Sequence, residues 1–204
     1  YVSNPVSVVR ANGGSYSEDF SDGQAQGWTT NNGTWTIVNN DYYRETEYIE
    51  RATAVYNNNT WDTDYTYSAS VYTAGTSGNR AGLIYNYVDV NNYNFVLFNA
   101  FGNAELHRMS GGTDTIVDTA TFTGGGAQVW IEVEVIREGD DTTIKVNGNT
   151  VFQQTQPGLA AGKIGLISHY FAGRFDNLSV EPLAATYSED FSDGQAQGWT
   201  TNNG

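Results

Sequence analysis

The 204-residue chain contains no cysteine, which excludes disulfides, thiolate metal sites and thiol catalysis. Basic residues are scarce: nine stand against 23 acidic ones, and only Lys145 and Lys163 are lysines. The formal net charge of -14 argues against nucleic acid or an anionic membrane as a partner, because both would be repelled. No apolar run is long enough to cross a bilayer as a helix. Histidine occurs only at His107 and His169, without the His-x-x-x-His spacing of a metal site. A G-x-S-x-G elbow and a phosphate-cradling loop are also missing, since Gly124 to Gly126 lack the Lys-Ser/Thr that would follow. These absences leave little room for catalysis.

What is present begins with a duplication. Tyr187 to Gly204 (YSEDFSDGQAQGWTTNNG) copy Tyr16 to Gly33 letter for letter, at a register of 171 residues. Chance does not preserve 18 identical positions, so the expectation is a cut from a tandem array. Residues 16–186 are then one repeat and residues 187–204 the opening of the next. Residues 1–15 are the end of a preceding module or a free N-terminal arm. A repeat of this size can bury a substantial core. Repeats on this scale point to a long secreted or surface protein, whose partners are neighbouring copies of the same module.

The periodicity is that of strands. Thr34 to Val38, Tyr65 to Tyr72, Ala81 to Tyr87, Tyr93 to Asn99 and Trp130 to Arg137 alternate or run β-branched and aromatic. Thr142 to Val146, Thr150 to Gln154, Lys163 to Ser168 and Arg174 to Val180 continue the pattern. Turn clusters separate them, and Asn147-Gly148 between two apolar runs signals a hairpin because both residues accept positive φ. Within Trp130 to Val135, Ile131, Val133 and Val135 share the core side, while Trp130, Glu132 and Glu134 share the other. Many short strands and no helix longer than a turn mean an all-β, antiparallel two-sheet β-sandwich. Trp28, Trp35, Trp61 and Trp130 are expected to fill its core or seal its edges.

Four segments then resemble a known group. Asp19 to Tyr43, Arg80 to Phe98, Trp130 to Phe152 and Gly162 to Val180 are similar to the concanavalin A-like (laminin-G-like) jelly-roll modules of bacterial secreted and surface repeat proteins. The resemblance covers Glu18 to Val180 and implies a concanavalin A-like jelly roll whose first and last strands lie side by side. In that group such modules serve as carbohydrate-binding appendages, as adhesin spacers and as stacked surface domains, so the shared fold does not choose among functions. Glycosidases of the superfamily carry a Glu-x-Asp-x-x-Glu strand, which this sequence lacks; no enzymatic activity is therefore expected.

Three sets of site residues follow. The resemblance implies calcium where the first and last strands meet, with Asp19, Asp176 and Asn177 as ligands and Glu18 as a further donor. Sugar binding needs an aromatic platform beside amide and charged groups. Tyr85 and Tyr87, read as sharing one strand face, are placed with Asn92, Tyr93 and Arg80 in such a glycan site, and His107 joins if the strands pair as expected. The duplicated tail supplies assembly residues Tyr187, Phe191 and Trp199, able to complement a module whose first strand is displaced. The leading expectation is a non-catalytic structural or interaction repeat, an adhesin spacer or extracellular filament subunit. The alternative is a carbohydrate-binding module of a polysaccharide-degrading enzyme.

Overall fold

The computed structural model describes residues 13–44, 48–62, 64–73, 78–126, 128–170 and 172–183. Its strands are β1 (Tyr16–Glu18), β2 (Trp28–Asn31), β3 (Trp35–Val38), β4 (Asp41–Arg44), β5 (Ile49–Tyr56), β6 (Tyr65–Thr73), β7 (Arg80–Asp89) and β8 (Asn92–Asn99). They continue as β9 (Asn103–Ser110), β10 (Thr113–Thr121), β11 (Val129–Glu138), β12 (Asp141–Val146), β13 (Asn149–Thr155), β14 (Lys163–Tyr170) and β15 (Gly173–Pro182). No helix occurs among the described residues.

The strands form two antiparallel sheets. Among the described residues one has eight strands in the order β13-β12-β11-β6-β15-β4-β3, with β1 added to β15; the other has seven in the order β10-β9-β8-β7-β14-β5-β2. The larger sheet contributes Tyr65, Tyr67, Ala69 and Val71 of β6 and Ile131, Val133 and Val135 of β11 to the buried interior. The smaller sheet answers with Leu83, Val96, Phe98, Leu106, Ile164 and Leu166. Period-two alternation makes this possible, because each strand offers one apolar row inward. Each valine, leucine, isoleucine or phenylalanine among them contributes roughly 1.5–3 kcal/mol on burial.

Local chemistry sets the turns. Asn147 and Gly148 take φ of 49° and 77° between β12 and β13, the positive values of a tight hairpin. Trp61, fully buried, is fixed by reciprocal backbone hydrogen bonds with Gly162 at 2.9 Å, and its indole N–H donates to the Gly14 carbonyl at 3.0 Å. Trp28 and Trp35 pack against the core from its edges. Trp130 does not fill the core; it lies on the side of β11 that the alternation assigns to it, opposite Ile131, Val133 and Val135. It lies half-buried on the outer face of the larger sheet, 5.3 Å from Tyr72, with the Arg174 guanidinium over both rings. The phase of β11 that buries Ile131 requires this.

The expected adjacency of first and last strands is present. Tyr16, Ser17 and Glu18 pair with Val180, Ser179 and Leu178. A bulge at Asn177 (φ 51°) separates this pairing from that of β15 with β4. The extra residue keeps Phe175 and Leu178 both inward and leaves Asp176 and Asn177 together on the outer side.

Candidate functional site

The outer face of the seven-stranded sheet carries a second apolar layer of Ile84, Tyr93, Phe95, Leu97, Met109 and Ile167, with Tyr87 against it. A face turned away from the main core does not ordinarily bury isoleucine and phenylalanine completely. Here charged side chains roof it. Arg51 on β5 ion-pairs with Asp114 on β10 at 2.7 Å, although four strands lie between them in the sheet. Five strand spacings measured flat would be roughly 24 Å, so the sheet is strongly curved and this face is concave. The Arg51 guanidinium crosses the concavity over the Phe95 ring, 5.6 Å from its centroid.

The network continues from Asp114. Its other oxygen meets His107 Nδ1 at 3.0 Å; His107 Nε2 meets Glu105 at 3.3 Å; Glu105 meets Arg80 at 2.8 Å. His107 is buried and stacks on Phe95 with centroids 4.5 Å apart. Alternation along β9 places Glu105, His107 and Met109 on this face, and the register His169↔Arg80 puts His169 at its end. Burial first, then the nearby Arg80 and Arg51 charges, push the His169 imidazole down to about 4. It is therefore neutral near pH 7, stacked on Tyr170 at 4.1 Å. Both network carboxylates are engaged by a cation and by His107, so neither stands free as an acid or base.

Beside the Arg80–Glu105 pair lies an open polar depression of about 490 Å³, lined by Arg80, Asn99, Asn103, Glu105, Thr119 and Thr121 with two alanines. Asn99 shapes its rim. Its side-chain oxygen accepts from the backbone N–H of Phe101 at 2.9 Å and of Asn103 at 3.1 Å. This turn between β8 and β9 holds Phe101 65% exposed. A planar amide, a guanidinium, a carboxylate and hydroxyls form a lining that suits a polyhydroxylated ligand.

The tyrosine platform expected from the sequence is not formed. Tyr85 is 3% exposed and belongs to the inter-sheet core, where burial pushes its hydroxyl well above the ordinary tyrosine value. Tyr87 packs against the opposite face of the same strand. The cause is an irregularity at Asn86 (φ 50°), where the pairing of β7 with both β8 and β14 shifts register. One extra residue inverts the alternation, so Tyr85 and Tyr87 do not share a face. Tyr93 is buried at 5.5 Å from Tyr87. Asn92 is used structurally, donating to Asp89 at 2.9 Å and accepting from Gly111 N–H at 3.1 Å. Arg80 lies seven residues from Tyr87, roughly 23 Å along the strand. Of the expected glycan residues, Arg80 alone lines the depression; His107 joins it through Glu105. Asn103, Glu105, Thr119 and Thr121 were missed because β9 and β10 carry too weak an apolar pattern to be read as strands, and Asn99 because it ends β8.

At the β1–β15 edge, Asp19 and Asn177 line one shallow depression with Ser17, Glu18 and Leu178. Asp19 is exposed and accepts from Ser21 N–H at 3.0 Å. Both oxygens of Asp176 are engaged by Asn177, at 2.7 Å from its backbone N–H and 3.3 Å from its amide. Burial, then repulsion from Asp41, Asp19 and Glu132, raise the Asp176 carboxyl above its ordinary value. Among the described residues no three carboxylate or histidine side chains converge as a metal cluster. The side-chain donors near this edge are three carboxylates, of Glu18, Asp19 and Asp176, and the Asn177 amide; they do not converge as a cluster, so by themselves they do not supply the six to eight oxygens of calcium. Tyr187, Phe191 and Trp199 lie outside the described residues.

No protein-family model and no curated protein matches the chain. Solved structures match its fold. The carbohydrate-binding module CBM66 from Bacillus subtilis superposes with a TM-score of 0.67 at 18% identity, over 76% of this chain and 95% of that one. A β-glucanase from Bacillus licheniformis gives 0.66 at 10% identity, over 84% and 99%. A Bacillus subtilis protein of unknown function with a galectin-like fold gives 0.67 at 11%, over 86% and 99%. Two curved antiparallel sheets, adjacent first and last strands and these likenesses make the chain a concanavalin A-like jelly-roll β-sandwich.

Proposed function

We propose that this chain is a non-catalytic carbohydrate-binding module of a secreted or surface protein, with its site at the Arg80 end of the concave face. The observation that carries this reading is the depression beside the Arg80–Glu105 pair, with its amide, hydroxyl and charged lining at the β8–β9 turn that carries the exposed Phe101. Ion pairs from Arg51 and Arg80 hold Asp114 and Glu105, which favours recognition over acid–base chemistry. The carbohydrate-binding neighbour in fold supports the same reading.

The test is binding to a panel of polysaccharides and glycan arrays, with titration calorimetry on whichever glycan is retained. Arg80→Ala and Asn103→Ala should each weaken binding about tenfold or more, as expected for lost hydrogen bonds to a charged or amide donor. Phe101→Ala should do so by loss of stacking. Binding to no glycan, or binding indifferent to all three changes, would refute the site. A second reading, the structural repeat of an adhesin or filament, is favoured by the letter-for-letter duplication. It requires self-association and no glycan.

A further inference from the structure

Residues 16–33 form a strap across one edge of the sandwich, and its seat is chemically specific. At one end β1 pairs with β15 in the larger sheet; at the other β2 pairs with β5, from Trp28↔Tyr56 to Asn31↔Thr53, in the smaller. Between them Phe20 turns at φ 52° and is fully buried, with ring centroids 5.1 Å from Tyr42 and 6.4 Å from Trp28. Tyr16 stacks on Tyr56 at 4.0 Å, and the Trp28 indole N–H donates to the Tyr16 hydroxyl at 2.9 Å. Every side chain that the seat selects recurs in residues 187–204, with Tyr187, Phe191 and Trp199 matching Tyr16, Phe20 and Trp28. The second segment carries the same side chains that fill the seat, and only the tether distinguishes the two sequences.

The tether reaches. The chain is fixed to the sheet as far as Leu183, whose N–H donates to the Asp64 carbonyl at 2.9 Å. Four Cα steps from there to Tyr187 span up to roughly 13–14 Å. The position opposite Val180 lies three residues back along β15 and one strand spacing aside, a diagonal of roughly 11 Å. The direction is also right, since a reversal after Leu183 returns the chain antiparallel to β15, as β1 runs.

We propose that the seat accepts the tail, residues 187–204 of the same chain, in place of residues 16–33. The module then closes on either copy of the strap. With the tail seated, residues 34–204 form a circularly permuted version of the domain in residues 16–186, and each frame contains the same 171-residue complement. This inference rests on the duplication and the seat, and is independent of the glycan reading.

Three full-length variants test it by thermal unfolding: Phe20→Asp, Phe191→Asp and both together. Phe191→Asp should melt with the parent. Phe20→Asp should melt within about 3 °C of it, because the tail takes over, whereas the double variant should lose about 10 °C or more. A Phe20→Asp variant as unstable as the double would overturn the proposal, and so would a double variant as stable as the parent. A crosslink reports the occupant directly. Ser17 sits opposite Ser179, so Ser188→Cys with Ser179→Cys in the Phe20→Asp background should form an intrachain disulfide on oxidation. No native thiol competes, because the chain has no cysteine. A disulfide-linked dimer would overturn own-chain exchange and assign the seat to a second copy; no crosslink would reject the tail as occupant.

Discussion

Lowering the pH should destabilise the fold through His169. Its imidazole is held near 4 in the folded protein, against an ordinary value of 6.5. The causes are burial and the two guanidinium groups of Arg80 and Arg51, with Glu50 opposing; its Nδ1 is buried without a hydrogen-bond partner. A depressed histidine favours the neutral form on folding. Its contribution is complete above 6.5 and is lost as the pH falls through 6.5 towards 4, because the unfolded chain binds the proton first. At 1.36 kcal/mol per pH unit the full shift corresponds to about 3 kcal/mol, which solvent screening of this partly exposed ring cuts to about 2 kcal/mol, with about 1 kcal/mol gone at pH 5. For a domain of this size that corresponds to a fall in melting midpoint of about 2–4 °C. Glu18 and Asp176, both raised chiefly by burial, act with the opposite sign, gaining stability as they protonate. The informative quantity is thus the difference between the parent and His169→Phe, which keeps a ring against Tyr170 and removes the titration. Melts at half-unit steps from pH 7.5 to 4.5 should show the parent losing stability more steeply than the variant. Parallel curves would show that His169 is not the group that protonates, and the argument from the concave face would fail.

Two further outcomes follow from the geometry. Gly162→Ala would place a Cβ against the backbone of Asn86, at the irregularity that inverts β7; destabilisation of about 2–3 kcal/mol is expected by chemical denaturation, and an unchanged midpoint would show that this approach is loose. Calcium at millimolar concentration should leave the melting midpoint within about 1 °C of that in EDTA, because the donors at the β1–β15 edge do not complete its coordination. A larger rise, abolished by Asp19→Asn, would mean that carbonyls and water finish the set.

How far the sequence could be read depended on which strands bury a face. β6, β7, β8 and β11 present apolar rows, and their alternation or aromatic content marked them. The exposed edge strand β10 carries no such row, β9 breaks its short apolar set (Ala104, Leu106, Met109) with Glu105, His107 and Arg108, and β5 mixes Arg51 with alanine, threonine and valine. These three strands supply Arg51, Asp114, His107 and Glu105 of the network that roofs the concave face, so it stayed invisible apart from His107 and Arg80.

The sequence by itself determined the class of fold, the hairpin at Asn147-Gly148 and the identity of the two strap copies. All three are local: alternation, turn chemistry and repetition act over a few residues and need no partner. Tertiary structure alone decided that Tyr85 faces the core while Tyr87 faces out, because one extra residue at Asn86 inverts a period of two. It also decided that Arg51 meets Asp114. That pairing depends on how strongly seven strands curve together, which no single strand specifies.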